Sequence, residues 1–572
     1  MVPKYARNFF LLSLLFIIGF SFSTDLAKVK NGGFFSDEST YYGILQSLAM
    51  DGDLRYERHD IQRIRETFKV GPMGIFLKRG GDGRLYFAKS FIYPLFAAPF
   101  FRLFGVHGIL LANGLMLLLA LWMGFLLLRQ HHPPWQSLAF TLMYVFGSVA
   151  FVYIWWTTAD LFNFFVNFAA LFFFFYGFRR PAWGHLAALF FAAAAFSKPN
   201  NLLHIGVLFL LLLFRRQWKR FAILSLLSAL LLAALFAFNY SQTGEFNFQG
   251  GERRSFYGNF PLERPDFTFA DGGGNPMTSD TYWDRFYLSP AIVLHNAFYY
   301  VFGRFTGLFL YFFPALFALL LFCFQKKERE DWFLLLAAGL AVLFYILVMP
   351  DNYFGGGGSL GNRYFLNLFP LFFFLGYRRR SFRFSLLMLL PGLLFLAPVA
   401  MNPLGHSASP RYPGVTWPSR LFPPEKTQCL TLPSNTNPWA FNKKIDGQYA
   451  LFMLNDNFHP IEGNVFWTHS DRELEFFLLA PFRVRTFDVQ LKNIAKPNHV
   501  SLALEHKRRT VFLEPGAVRL VRFGAIPGLR LGNRYVYLVK VRSRRSLLPY
   551  FEAPDSRDLR PLGVQVHIRL AP

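Results

Sequence analysis

The chain has 572 residues, 53% of them hydrophobic and only 16% charged, with a formal net charge of +25. Soluble domains carry about 25% charged residues, so this balance, with a mean hydropathy of +0.28, excludes an ordinary soluble protein. The positive charge does not gather on one arm or face, as it does in a nucleic-acid binder, so no nucleic-acid partner is expected.

It sits instead in short links between apolar blocks: Arg129; Arg179 and Arg180; Arg215, Arg216, Lys219 and Arg220; Lys326 and Lys327; Arg378, Arg379 and Arg380. Such links mark the cytoplasmic side of a polytopic α-helical membrane protein. Lys4 and Arg7 place the N-terminus there as well. Cys323 falls in an apolar block and Cys429 in the tail, so no disulfide framework is expected.

Residues 8–25 read as the first membrane span, with a cleaved signal peptide as the alternative because Lys4 and Arg7 precede the apolar run. Residues 27–106 form an external loop region that opens with a helix from Ser36 to about Met50. Within it, 90–105 is apolar but interrupted by Pro94 and Pro99 and is expected to lie along the membrane interface. Further spans are expected at 107–128, 135–154, 160–178, 183–198, 200–214 and 219–238. A second external loop region, 239–305, is rich in Gly, Pro and Asp, and spans resume at 306–324, 331–349, 363–377 and 383–400. That makes about eleven crossings and leaves the C-terminus outside.

At residue 402 the composition changes. Residues 402–572 contain no spanning run but do contain alternating stretches at 518–523 and 535–541, with turn signals at 514–516 and 531–533. Short strands punctuated in this way predict an extracytoplasmic β-rich domain, a β-sandwich of about 130 residues. The chain is thus expected to divide into a transmembrane domain, 1–401, and a β-rich domain, 402–572. The 355–358 glycine run is a loop and not a phosphate cradle, since no helix with Gly-Lys-Ser/Thr follows it. The 75 Phe residues are spread through the spans as filling and are not a sugar platform.

Asp37 and Glu38 follow the first span closely, and paired carboxylates near a membrane surface suit a general base. The alternative is that Ser36 caps the helix while Asp37 and Glu38 complement its dipole. Lys89, Lys198, Arg304 and Arg363 lie at the edges of apolar runs, where they can stabilise a phosphate anion or simply snorkel. Asp160 opens the 160–178 span and serves either as a second carboxylate or as a cap. Asp266, Asp271, Asp280 and Asp284 have no ligand spacing, and no His/Cys/Asp grouping has zinc spacing, so no metal or other cofactor is expected.

The order of these features resembles the GT-C class of membrane glycosyltransferases, in particular the protein O-mannosyltransferase and aminoarabinose-transferase branch. The resemblance rests on Asp37, Glu38, Tyr41 and Tyr42 after the first span and on Lys89 leading through Pro94 to Gly105. It rests also on Lys198 and Pro199 after an Ala-rich helix, and on Arg363 and Tyr364 at the start of a late one. The family's usual double proline is here reduced to Pro94. The resemblance covers residues 1–400 and implies transfer from a polyprenyl-phosphate-linked sugar outside the cytoplasm. It puts Asp37 at the family's catalytic carboxylate, with Glu38 beside it, and Lys89 near the donor phosphate. In some branches an acidic residue at the place of Asp160 is a metal ligand or second carboxylate.

The expected protein is therefore an inverting glycosyltransferase of a bacterial plasma membrane, acting on a lipid, glycan or protein acceptor in the cell envelope. The alternative is a non-enzymatic lipid-glycan carrier or transporter, or a scaffold of an envelope-glycan assembly complex. Topology is checked with single cysteines and an impermeant maleimide. Positions 129, 215 and 379 should stay unlabelled in intact cells, and position 271 and the tail should label. Tail labelling only after permeabilisation contradicts the reading.

Overall fold

Apolar runs without an internal proline fold as unbroken helices: Lys4–Ser23, Val106–Leu128, Ala159–Tyr176, Trp218–Thr243 and Arg329–Val348. The computed structural model describes residues 2–572 except 31, 179–180, 249–251, 274–288, 357, 380–385, 409–411, 433–442, 446–448, 470, 495 and 553–554. Of the residues singled out above, Arg179, Arg180, Asp280, Asp284 and Arg380 lie outside that set, as do parts of the 355–358 run and of the 383–400 span.

The expected eleven crossings take a coarser form. Among the described residues, five helices are long and apolar enough to span a membrane, or six if the bent pair Pro134–Phe146 and Val149–Trp155 is one span. That pair turns by 68° at Gly147 and Ser148, where the helix changes to a 3₁₀ turn. The 183–198 and 200–214 runs form shorter apolar helices, Ala182–Ser197 and Asn201–Phe214, and proline interrupts three others. The 306–324 run splits into Leu308–Tyr311 and Phe313–Phe324, and the 363–377 run into Arg363–Leu366 and Phe369–Phe374. The 383–400 run contains a π-helical turn, Gly392–Leu396, between Pro391 and Pro398. The expected interfacial segment is a helix, Ile92–Phe104, with Pro99 inside it. At a rise of about 1.5 Å per residue such short helices fall well below a hydrocarbon layer of about 30 Å.

The first loop region folds into a small lobe. Strands β1 (Gly33–Phe35) and β2 (Val70–Met73) pair in parallel, at a separation that would put a Cβ on Gly33 only 1.9 Å from the Val70 carbonyl oxygen. Strands β3 (Ile75–Arg79), β4 (Leu85–Phe87) and β5 (Arg253–Phe256) form an antiparallel sheet in the order β4-β3-β5. Ile44 of the Asp37–Met50 helix packs with Ile75, Leu77, Phe87 and Phe256 in one buried cluster.

The C-terminal region is β-rich, as the alternation predicts. Its strands are β6 (Lys443–Ile445), β7 (Tyr449–Met453), β8 (Val465–Trp467), β9 (Glu473–Ala480), β10 (Thr486–Lys492) and β11 (Asn498–Leu504). They continue as β12 (Lys507–Leu513), β13 (Val518–Phe523), β14 (Leu529–Leu531), β15 (Arg534–Ser543) and β16 (Gln565–Ala571). One sheet runs β12-β11-β15-β9-β7-β6 with β14 on β15, the other β13-β10-β16-β8. Their inward residues, among them Phe476, Leu478, Val489, Leu502 and Ile568, share one buried core. Gly516 and Gly532, at φ 73° and 58°, make the turns that the sequence signals.

The chain divides into two compact units, but not at residue 402. One comprises Met1–Phe286, Gly307–Val348 and Leu360–Ala408; the other comprises Tyr287–Thr306, Met349–Ser359 and Ser409–Pro572. The 239–305 loop region is therefore shared between them, because its end is bound into the β-rich unit. Arg304, 1% exposed, donates to the fully buried Glu475 at 2.6 Å, and the amides of Phe305 and Thr306 donate to Glu425 at 2.9 and 2.8 Å.

Burial pushes the Glu425 carboxyl up to about 7 against these donors. The unfolded chain releases that proton near pH 4.3. Between about pH 4.3 and 7 the folded state therefore holds the extra proton, and the stability of this unit should fall as pH rises through that window. Melting temperatures measured at about pH 5 and 8 should differ less in Glu425→Gln than in the wild type. An equal difference in both proteins contradicts the assignment.

Candidate active site

Asp37 is the first residue of its helix, and the residue before it is strained. Ser36 sits at φ 56°, ψ −123°, and its side chain makes no capping hydrogen bond. A serine in this region is disfavoured and persists only where its surroundings hold it. Here the Ser36 amide donates to the Met73 carbonyl at 2.7 Å, and Ser39 Oγ to the same oxygen at 3.1 Å. The capping alternative therefore fails for Ser36. The Met73 carbonyl at the end of β2 instead pins the start of the helix.

Asp37 meets two cations. Lys89 Nζ lies 2.8 Å from Asp37 Oδ1, and Arg363 Nη1 lies 2.9 Å from Asp37 Oδ2. Lys89 lies just past β4, after Ala88, and Arg363 opens the Arg363–Leu366 helix, which Asn362 caps through Phe365 N at 3.0 Å. Arg363 Nη1 also lies 3.8 Å from Asp160 Oδ2. Asp160 in turn accepts from Lys198 Nζ at 2.6 Å and from Thr158 Oγ1 at 2.9 Å.

The result is a chain of alternating charge, Lys89–Asp37–Arg363–Asp160–Lys198, drawn from five separate segments of one unit. Asp160 is 3% exposed, and the other four side chains are 13–18% exposed. Isolated charges in such surroundings are costly, so each is tolerable only beside its partner. Burial alone would raise the Asp37 carboxyl, but Lys89 and Arg363 outweigh it and hold the group well below the usual carboxylate range. Asp37 is ionised here and, in this arrangement, a weak base.

Aromatic rings floor the cluster. Lys198 Nζ stands 5.0 Å over the Tyr364 ring, which stacks on Tyr345 at 4.9 Å. Lys89 and Arg253, the latter from β5, lie 5.1 and 4.9 Å from the Phe76 ring. Arg363 Nε and Thr157 Oγ1 are buried without a hydrogen-bond partner among the described residues.

Lys89, Arg363, Lys198, Asp160 and Asp37 are thus brought together. Glu38 has different partners. Its carboxylate accepts from Lys30 Nζ and Thr157 N at 2.8 and 2.9 Å, which braces the turn leading to Asp160. Arg304 belongs to the other unit and is held by Glu475, so it cannot serve as a phosphate ligand without breaking a buried pair. Asp271 caps a loop turn at Thr268 N, 2.7 Å.

Three participants were not legible in the sequence. Lys30 and Arg253 are ordinary loop cations until β1 and β5 place them, and Tyr345 lies unmarked in an apolar helix. One acidic grouping also escaped the spacing rules: Asp51, His59 and Asp60 bring ligand atoms within 4.8 Å of one another. Arg63 already bonds both Asp51 and Asp60, the latter at 2.6 Å, so a guanidinium occupies the place of a cation.

Fold and cluster together define an integral membrane protein with a charge-paired, largely buried site. No protein-family profile matches the chain, and no curated protein does. Among solved structures it is similar to the crystal structure of ArnT from Cupriavidus metallidurans bound to undecaprenyl phosphate, with 17% identity and a TM-score of 0.40 over 70% of this chain and 65% of that one. The apo state of the same protein gives 16% identity and a TM-score of 0.39 over 69% and 65%. The chain therefore spans about 65% of the length of the structures it matches.

Proposed function

We propose that the protein is an inverting glycosyltransferase of the GT-C kind, which moves a sugar from a polyprenyl-phosphate donor to a hydroxyl acceptor on the non-cytoplasmic face of a bacterial plasma membrane. The observation that carries this reading is the Asp37 carboxylate held between Lys89 and Arg363. Ionisable groups beside membrane helices are expensive and mark function. A site that offers a carboxylate and two cations within one hydrogen-bond radius matches a reaction that needs both a base and a phosphate cradle. The motif order noted above points to the same class.

In the reaction, the acceptor oxygen bonds to the anomeric carbon as the bond from that carbon to the phosphate oxygen breaks. A phosphodiester with one negative charge becomes a phosphate monoester with nearly two. Lys89 and Arg363 then bind the transition state more tightly than the donor, which is what lowers the barrier. The incoming phosphate competes with Asp37 for both cations. As they turn to the phosphate, the Asp37 carboxylate loses the partners that depress its basicity and takes the acceptor proton. Asp160 keeps Lys198 and anchors Arg363 from behind. The phosphate therefore switches the base on, and Asp37 stays inert until a donor is present.

This exchange separates catalysis from scaffolding. Asp37→Asn should lower transfer about 10²–10⁴-fold while donor affinity holds or rises, because the competing carboxylate is gone. Lys89→Ala should weaken donor binding or rate about ten- to hundredfold, the worth of one charge-assisted bond. The assay is transfer from polyprenyl-phosphate sugars by the purified protein, with donor binding measured in parallel. Loss of binding and turnover together in Asp37→Asn reduces the residue to a scaffold. Donor binding without any turnover in the wild type favours a carrier.

A further inference from the structure

The Arg329–Val348 helix carries an exposed apolar stripe. Trp332, Leu336, Leu340 and Leu343 recur every three or four residues, so they share one face, and all four are exposed. The Asn201–Phe214 helix packs antiparallel beside it. At one end Phe214 meets Phe333 with ring centroids 5.6 Å apart, and at the other Asn200 bonds the Tyr345 hydroxyl. Phe214, itself 59% exposed, widens the stripe at the first end. Apolar faces of this kind meet lipid tails and by themselves select no particular lipid.

The head of the stripe is selective. Arg329 is exposed, opens the helix and stands 5.5 Å over the Phe214 ring. It lies two and three turns before Leu336 and Leu340, hence on their face. Lys327, also exposed, lies 5.4 Å from the Phe322 ring, against which Trp332 packs edge-on at 5.2 Å. The acids of the same segment are engaged elsewhere. Glu328 pairs with Arg378, and the buried Glu330 pairs with Arg215. Asp331 accepts from the amides of Glu328 and Gly376, each at 2.9 Å. Among the described residues, Lys327 and Arg329 have no acidic partner. The helix dipole, positive at this end, gives Arg329 no support either.

Unbalanced cations at the head of an apolar stripe suit a ligand with an anionic head and an apolar tail. A soluble anion would gain nothing from the stripe, and a zwitterionic lipid would bring its own cation against Lys327 and Arg329. From Trp332 to Leu343 the helix rises about 16 Å, roughly half of a hydrocarbon layer of about 30 Å, which is the depth of one leaflet. The Tyr345–Tyr364 stack beneath the charge cluster lies at the other end, about 24 Å along the helix from Arg329.

We propose that one anionic phospholipid binds here, with its phosphate on Arg329 and Lys327 and an acyl chain along Trp332, Leu336, Leu340 and Leu343. The lipid lies in the leaflet opposite the charge cluster and fastens together the two helices whose far ends carry Asn200 and Tyr345. The test is native mass spectrometry of the full chain, released from micelles titrated with phosphatidylglycerol or phosphatidylcholine. The wild type should retain one phosphatidylglycerol in preference to phosphatidylcholine. Arg329→Ala should weaken that binding at least about fivefold, as loss of one cation near the headgroups implies, while Arg329→Lys keeps most of it.

Phosphatidylglycerol should also raise the melting temperature of the wild type and not that of Arg329→Ala. Without lipid the two should melt alike, since Arg329 is exposed. None of these readouts involves sugar transfer, so they stand or fall apart from the function proposed above. Equal affinity for the two lipids, an undiminished phosphatidylglycerol preference in Arg329→Ala, or displacement of the lipid by soluble glycerol phosphate overturns the proposal.

Discussion

A carboxylate that lies largely out of water between two cations is the charge that keeps both of them paired. Asp37 is in that position, with Lys89 at 2.8 Å and Arg363 at 2.9 Å. Each cation is in turn constrained. Lys89 is held by the end of β4, and Arg363 by its capped helix and by Asp160 at 3.8 Å. The low-dielectric surroundings make each attraction strong and make each unpaired charge costly. The cluster is therefore either fully paired internally or fully paired with something of opposite charge. A phosphate group is such a partner for Lys89 and Arg363, and on the proposed reading the exchange of carboxylate for phosphate is the chemical event that starts turnover.

The fold supplies the rigidity that this exchange needs. The lobe formed by β1 to β5 pins the strained Ser36 through the Met73 carbonyl, so the start of the Asp37–Met50 helix is over-determined. Glu38, bonded to Lys30 and Thr157, ties that same turn to the loop before Asp160. On the proposed reading the two acidic neighbours divide the work: Asp37 responds to the donor, while Glu38 keeps the two carboxylate-bearing segments in register. The β-rich unit achieves its own order separately, through a sandwich core and the buried Arg304–Glu475 pair.

Much of this was legible in the sequence, because periodicity and punctuation are local. The Asp37–Met50 helix, the long apolar helices, β13 and the glycine turns at 516 and 532 all follow from patterns within a few residues. What was not legible depends on long-range pairing. Nothing near Arg304 indicates Glu475, so it reads as a membrane-edge cation until the tail folds against it. Nothing near Glu38 indicates Lys30 as its partner in place of the donor or acceptor. Lys89 and Arg363 were recognisable as anion ligands, but the anion they hold in this structure is Asp37 itself. The span count is matched only in its coarser form, five or six long apolar helices among the described residues, because prolines and glycines cut some apolar runs into shorter pieces and hydropathy does not register such breaks.

The central claim is that phosphate replaces Asp37 on Lys89 and Arg363, and a structure of the full-length protein with a polyprenyl-phosphate sugar bound tests it most directly. The account predicts phosphate oxygens within hydrogen-bonding distance of Lys89 Nζ and the Arg363 guanidinium, with the Asp37 carboxylate released from at least one of them and turned toward the sugar. A phosphate bound elsewhere, with the Lys89–Asp37–Arg363 pairs intact, would contradict it.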